Sequence, residues 1–95
     1  MTPSELTRLL ELHRRFVTGL REGARANLSS KNLAGANLAN CNLQQLIAPG
    51  ANFTKCSLVA TDFSFADLYG ANLSFADCTK TNFYRADLRG AHLQG

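Results

Sequence analysis

Residues 26–30, Ala-Asn-Leu-Ser-Ser, begin a run of five-residue units that continues to residues 91–95, Ala-His-Leu-Gln-Gly. Fourteen units fill residues 26–95 without an insertion. The third position of each unit, here called the centre, is Leu or Phe in 12 of the 14 units. The first position is usually small, and the second is Asn or Asp in 11 units. A repeat this regular leaves few positions free to carry chemistry.

A period of five fits neither an amphipathic helix nor a long alternating strand. A helix needs apolar residues spaced by three and four, and a strand needs a spacing of two. The order small, polar, large follows strand alternation for three residues, and the next two residues can turn the chain. Because no unit can bury its apolar side alone, the units are predicted to stack as a solenoid.

The repeat resembles the pentapeptide-repeat family, whose pattern is Ala, Asp or Asn, Leu and two variable residues. The pattern is met along the whole of the repeat region, 26–95. The resemblance implies an all-β solenoid, namely a right-handed quadrilateral β-helix with four units, or about 20 residues, in each coil. About three and a half coils would then form a body only ~17 Å tall at a strand spacing of ~4.8 Å.

Such a coil stacks residues that lie four units apart in sequence. The predicted ladders of centres are Leu28, Ala48, Leu68 and Leu88; Leu33, Phe53, Leu73 and Leu93; Leu38, Leu58 and Cys78; and Leu43, Phe63 and Phe83. Phe63 and Phe83 are therefore expected to touch, and truncating either to Ala is expected to cost about 3 to 5 kcal/mol.

No catalytic, cofactor-binding or metal site is predicted. Cys41, Cys56 and Cys78 all fall at inward positions, and their wide spacing matches no metal or redox signature, so they are predicted to be small buried apolar residues. Asp67 and Asp87 would lie one coil apart, but a filled interior offers no cleft for catalysis. The Asn and Asp side chains are instead expected to bond nearby backbone at the turns.

Three departures from the repeat carry information about packing, one of which is Cys78 at a centre, read as tolerance of a mild cavity. In the unit 46–50, Leu46 is expected to fill the volume lost at Ala48, with Ile47 and Pro49 exposed. Lys31 takes an inward position, which is expected only near the end of the stack, where its ammonium group reaches water.

Residues 3 to about 22 are predicted to form one amphipathic helix, capped by Thr2 or Ser4 and ended by Gly23. Its apolar stripe comprises Leu6, Leu9, Leu10, His13, Phe16, Val17 and Leu20, with His13 at the margin. A basic amphipathic helix can bind a membrane surface or a partner, but a repeat stack also needs a cover for its first coil. We therefore assign residues 1–25 to a capping helix and its connection, and residues 26–95 to the β-helix.

No second cap follows the repeats, so the last coil is expected to expose an edge to which another copy could pair. This predicts an end-to-end homodimer through His92 and Leu93. Two alternatives are a longer solenoid of which this chain is a fragment, and an end that is tolerated although loosely ordered.

Charge bears on the activity known in some members of the family, which protect type II topoisomerases by resembling duplex DNA. Such mimicry needs a dense line of negative charge. The repeat region carries five basic and four acidic residues, so the short body is nearly neutral and this alternative is disfavoured. Binding to nucleic acid or to a membrane is not favoured either, because the basic residues are dispersed and no apolar run is long enough to span a bilayer. A cytoplasmic location is the default expectation.

The outward variable positions are where a function is expected. Phe65, Tyr69, Tyr84, Arg85 and Arg89 are predicted to gather around one edge of the last two coils. These residue types anchor protein interfaces, although contacts between coils that merely cover the surface would use them too. The leading prediction is a non-enzymatic interaction or assembly module with an unidentified protein partner. Topoisomerase modulation is the alternative, and catalysis ranks last.

Overall fold

A computed structural model describes residues 1–95, which form one helix followed by a parallel β-helix. The helix α1 spans Pro3–Val17. The β-helix contains no long strand, since its pairing consists of single-residue parallel bridges at the second position of the units. The bridges join residues four units apart, as in Asn27 with Ile47 and Ile47 with Asp67. Four units therefore complete one coil, and the first coil comprises residues 26–45.

Backbone hydrogen bonds join each coil to the next. The N–H groups of third and fifth positions donate to carbonyls of the following coil, as Leu28 does to Ile47 at 2.7 Å and Ser30 to Pro49 at 2.9 Å. The N–H groups of second positions donate in the opposite direction, as Ile47 does to Ala26 at 3.3 Å. Inner coils therefore have ladder partners on both sides, which satisfies the strong hydrogen-bonding demand of buried backbone.

The corners of the coil are tight turns. The N–H of the first residue of each unit donates to the carbonyl of the centre in the unit before it, as Lys31 does to Leu28 at 3.1 Å. The fifth residue of all fourteen units has a positive φ, and only five of these residues are Gly. A positive φ at the third residue of a four-residue turn is the type II pattern. The left-handed conformation here belongs to the repeat itself and does not mark a functional site.

The Asn and Asp residues at second positions stabilise these turns, as expected. In all eleven cases Oδ1 accepts the N–H of the residue two positions later, for example Ser29 N–H to Asn27 at 3.0 Å. This local bond is the Asx-turn geometry, which explains why short amide and carboxylate side chains recur at this position.

The unit 46–50 removes both partners of that bond together. Ile47 lacks the acceptor, and Pro49 lacks the N–H that would need it. Pro49 also takes the second residue of the turn, where a type II turn favours proline. Both side chains are half-buried, so the expectation that they would be exposed was wrong. Ile47 is covered because it pairs with a coil on each side, at Asn27 and Asp67.

The interior is the predicted stack of centres. Phe63 is fully buried and lies 5.7 Å from Phe83 between ring centroids, with ring planes inclined by 13°, which confirms the predicted contact. Leu46 and Ala48 are both fully buried, in agreement with the predicted exchange of volume between them. Thr61 also points inward, and its hydroxyl donates to the carbonyl of Leu38 in the coil below at 2.7 Å.

The ends of the stack are less buried than the sequence suggested. The last 20 residues, 76–95, are here called the last coil. Cys56 is buried as predicted, but Cys41 in the first coil and Cys78 in the last coil are only half-buried. Burial raises the pKa of all three thiols. Phe83 is also half-buried and Leu93 is 55% exposed, because the last coil has a neighbour on one side only. Lys31 is exposed in the first coil, as expected.

Helix α1 begins as predicted and ends earlier. Thr2 and Glu5 form a reciprocal capping box at its start. At its end, Leu20 N–H donates to Arg15 O at 2.9 Å and Gly19 N–H to Phe16 O at 3.3 Å. These bonds are a Schellman motif, for which Gly19 supplies a φ of +73°. The predicted end near residue 22 was therefore wrong.

The apolar stripe of α1 packs against the first part of the β-helix, but the residue that it buries most deeply is not the one expected. Leu6, Leu9 and Leu10 pack against the core, as expected. His13 is fully buried, whereas Phe16 and Leu20 are 37% and 48% exposed, so the placement of His13 at the margin was wrong. His13 holds this position by bonding two backbone groups of the first coil, at Ala26 and Gln44.

Gly23 has a packing role rather than the predicted helix-ending role. After α1 the chain folds back, and Ala24 N–H donates to Leu12 O at 2.9 Å. A Cβ added at Gly23 would lie only 2.3 Å from the backbone nitrogen of Phe16. Only glycine permits this approach without a shift of the backbone.

We expect Phe63→Ala to lower the free energy of unfolding by about 3 to 5 kcal/mol, because the stacked coils cannot collapse onto the void. Phe83→Ala should cost less, since Phe83 is only half-buried. Phe75→Ala is the matched control, because Phe75 is 63% exposed, and it should stay within about 0.5 kcal/mol of the wild type. Urea unfolding of the three variants measures these losses. A loss below about 1 kcal/mol for Phe63→Ala would contradict its placement.

We expect Gly23→Ala to separate α1 from the loop that follows it, with a loss of about 1 to 3 kcal/mol or more from overpacking against backbone. Gly70→Ala is the control, because its φ of +65° strains any other residue while no atom lies within 4 Å of the added Cβ. Thermal unfolding should rank Gly23→Ala below Gly70→Ala. The reverse order would show that the close approach to Phe16 is not needed.

Candidate functional site

The turns of the β-helix position the five residues predicted to bind a partner. Tyr69, Tyr84 and Arg89 take fourth positions, where their N–H groups donate to Asp67, Asn82 and Asp87, respectively. Phe65 and Arg85 take fifth positions at the corners, with φ values of 61° and 54°. All five side chains therefore start from the tight, hydrogen-bonded turns of the repeat.

Phe65, Tyr84 and Arg85 form the first group of this site. The rings of Phe65 and Tyr84 meet edge to face, with centroids 5.7 Å apart. The guanidinium of Arg85 lies 5.5 Å from the centroid of Tyr84, and its Nε donates to the Tyr84 hydroxyl at 3.2 Å. Arg85 forms no ion pair, so its charge remains available to an acceptor from outside.

Tyr69, Arg89 and Asp87 form the second group. The guanidinium of Arg89 lies 5.6 Å from the centroid of Tyr69 and donates two hydrogen bonds to Asp87, at 3.0 and 2.8 Å. These bonds lower the pKa of Asp87 and raise that of Arg89. Asp87 was not predicted as the partner of Arg89, although their closeness in sequence was a usable signal.

The sequence predicted that all five residues share one edge, but the two groups lie at different corners of the coil. Phe65 and Arg85 occupy the corner at the start of the unit 66–70, while Tyr69 lies at the corner where this unit ends. The two groups therefore flank one side of the coil, whose outward second positions include Asp67 and Asp87. The prediction placed them on a single edge because the pentad period alone does not show that a whole side separates positions 65 and 69. We call the five residues Phe65, Tyr69, Tyr84, Arg85 and Arg89 the aromatic–arginine surface.

The aromatic–arginine surface is exposed despite its internal contacts. Phe65, Tyr69 and Tyr84 expose 52%, 54% and 59% of their surface. Single exposed apolar residues are common on proteins, but rings and guanidinium groups gathered on neighbouring corners are the composition that interfaces favour.

The carboxylates on this side are occupied by structural bonds. Asp67 accepts the N–H of Tyr69 at 3.1 Å, and Asp87 holds Arg89. No group of three or more His, Cys, Asp or Glu side chains is placed to share a metal ion. The chemistry that this side offers is that of binding through rings and guanidinium groups.

The predicted self-association edge lies on the last coil. His92 is exposed and bridges to Asn72 beneath it, and Leu93 is 55% exposed. The N–H groups of third positions in this coil, at Cys78, Phe83, Leu88 and Leu93, make no backbone hydrogen bond. The edge thus combines free donors with apolar surface.

Two grooves border α1. The first, of about 390 Å³, lies between α1 and the first coil and is lined by Leu6, Leu10, Leu33 and Ala36 among others. The second, of about 680 Å³, is a polar depression along Arg8, Glu11 and Arg15. Arg14 and Arg15 both bond Glu11, and the bond from Arg14 is the main reason that the pKa of Glu11 falls to about 2. Neither groove contains the residues predicted from the sequence.

A sequence profile described as Pentapeptide repeats matches in 8 copies, over residues 24–54, 36–74 and 66–95. The chain belongs to the pentapeptide repeat family. The family implies that the β-helix is right-handed. The search of curated proteins finds no match.

Two solved structures are similar to the chain. The pentapeptide repeat protein alr5209 from Nostoc Pcc 7120 is 32% identical over 92% of this chain and 74% of its own, with a TM-score of 0.45. The pentapeptide repeat protein AT2G44920 from the Arabidopsis thaliana thylakoid lumen is 34% identical over 73% of this chain and 55% of its own, with a TM-score of 0.42. In the present chain, α1 is too short and too polar to cross a membrane.

Proposed function

We propose that this pentapeptide repeat protein is a non-enzymatic interaction module that binds a protein partner through the aromatic–arginine surface. The observation that carries the proposal is the exposure of Phe65, Tyr69 and Tyr84 beside two arginines on a hydrogen-bonded scaffold. A scaffold whose backbone is already ordered loses little conformational entropy on binding, which favours affinity.

The two groups suggest different roles in binding. Arg89 is already paired with Asp87 and is held over Tyr69, so this group offers a preformed, nearly neutral flat contact. Arg85 has no carboxylate partner and lies over Tyr84, so it can donate to an acceptor on the partner. Tyr and Arg are the residue types that most often dominate interface energies.

The helix α1 has a separate proposed role at the other end of the molecule. Its residues Leu6, Leu9 and Leu10 pack against the core of the first coils, so we propose that it acts as their cap. The cytoplasmic location is likewise a proposal, supported by the three free thiols, which suit a reducing compartment.

We expect the variant Tyr69→Ala/Arg85→Ala to lose the partner. Affinity capture from an extract of the source cells should recover a protein with the wild type and at least about 30-fold less with the variant, if the two residues together contribute about 2 kcal/mol or more. Binding of the purified partner, measured by calorimetry, then checks the ratio.

The matched control is Phe75→Ala/Lys80→Ala, which removes an exposed ring and a positive charge from other corners. Its binding should equal that of the wild type, and both variants should keep the wild-type melting temperature within a few degrees. Equal binding by the Tyr69→Ala/Arg85→Ala variant would remove the aromatic–arginine surface from consideration. A supercoiling assay with gyrase tests the alternative, and potent inhibition would reverse the ranking.

We also propose that two copies associate end to end through the last coil, at His92 and Leu93. The free N–H groups of Cys78 and Phe83 and the 55% exposure of Leu93 support this contact, because an unpaired edge is a template for another edge.

Light scattering at high micromolar concentration should give twice the monomer mass of 10.3 kDa. Leu93→Asp should restore the monomer by placing a charge on the apolar edge. Leu20→Asp is the control at the α1 end, where Leu20 is 48% exposed, and it should leave the dimer intact. A monomeric mass for the wild type would end this proposal.

A further inference from the structure

His13 is fully buried at the place where α1 meets the first coil. Its Nε2 donates to the carbonyl of Gln44 at 2.7 Å, and its Nδ1 accepts the N–H of Ala26 at 2.9 Å. A carbonyl can only accept and an amide N–H can only donate, so these partners require the neutral imidazole with its proton on Nε2.

The two bonds replace backbone bonds that the rest of the β-helix makes for itself. From the second coil onward, carbonyls at fourth positions accept a ladder N–H from the preceding coil, as Pro49 does from Ser30, whereas Gln44 in the first coil accepts from His13. First-position N–H groups elsewhere donate into a turn, but Ala26 donates to His13. One imidazole therefore bonds both the N–H of Ala26, the first residue of the first coil, and the carbonyl of Gln44, its next-to-last residue.

We propose that α1 is a pH-sensitive cover of the first coil, held closed by neutral His13 and released when His13 takes up a proton. A proton on Nδ1 would point at the N–H of Ala26, so one hydrogen bond would become a repulsion between two donors. Release of α1 leaves Ala26 N–H and Gln44 O free at the edge of the first coil and uncovers the core beneath Leu6 and Leu10.

The surroundings of His13 contain no carboxylate that would stabilise its charged form. From the connecting segment, the positive charge of Arg25 faces it while Arg25 bonds Gln45 O at 2.6 Å. The first coil contributes the uncharged Gln44 carbonyl. On α1, Phe16 lies 5.9 Å away between ring centroids, and the adjacent Arg14 is paired with Glu11.

Burial, with a smaller contribution from Arg25, lowers the pKa of His13 below its ordinary value of 6.5, although the bond to Gln44 opposes the shift. A lowered pKa means that the released state binds the proton more readily than the closed state. The closed state therefore has its full stability above pH 6.5 and loses it as the pH falls from 6.5 towards the pKa of closed His13. Over that window the closing equilibrium constant falls about tenfold for each pH unit.

The test is a titration of the ¹⁵N-labelled chain by NMR between about pH 7.5 and pH 5. At the upper pH the His13 ring should show the Nε2–H tautomer. As the pH falls, we expect the Ala26 amide signal and the methyl signals of Leu6 and Leu10 to move together towards their released positions. His92→Gln, at the exposed second histidine, should titrate like the wild type, and His13→Gln should show no such transition.

Three results would overturn the proposal. They are a His13 pKa at or above 6.5, an Ala26 amide and Leu10 methyls that stay at their closed positions at pH 5, and a transition that persists in His13→Gln. The first two use the wild type alone, so the proposal can be refuted even if His13→Gln does not fold. None of the readouts involves the aromatic–arginine surface, and failure of either proposal leaves the other standing.

Discussion

The backbone hydrogen-bond ladder between successive coils is the constraint on which the rest of this molecule depends. No unit has enough apolar surface to fold alone, so each coil needs another to satisfy its N–H and C=O groups and to cover its centres. The ladder also holds nine non-glycine residues in the left-handed conformation at the corners, a conformation that local preference alone would disfavour. Tight corners in turn keep every centre pointing inward.

A ladder must stop somewhere, and its two ends in this structure are treated differently. At the first coil, the His13 imidazole gives the Gln44 carbonyl the donor that a preceding coil would otherwise supply, and the Arg25 guanidinium bonds the Gln45 carbonyl. At the last coil, the third-position N–H groups remain free and Leu93 is exposed. One end of the stack is therefore packed against α1, and the other leaves backbone donors and an apolar side chain exposed.

The unit 46–50 departs from the repeat at several positions, and each departure is compensated by another residue of the same unit. Ile47 lacks the Asx acceptor in the unit where Pro49 lacks the donor, and Leu46 fills the volume that Ala48 leaves. The scaffold therefore accepts paired departures of this kind. At outward positions such as Phe65 and Tyr84, the repeat sets no such requirement, and exposed rings there meet edge to face.

The sequence by itself determined the pentad stack, its four-unit coil, the Phe63–Phe83 contact and the Asx turns, because each follows from a periodicity or from a bond two residues long. The partner-binding role that it predicted for the residues of the aromatic–arginine surface stays a prediction. The end of α1 at Val17 is set by a local bond pattern too, for which Gly19 is the sequence signal. Only the tertiary structure decided that the residues of the aromatic–arginine surface flank one side of the coil and that His13 is the buried link to the first coil. Both features depend on which segments of the chain meet in space, either at the first coil or at the corners of later coils. Single-residue contacts of this kind have no period and therefore leave no repeating signal in the sequence.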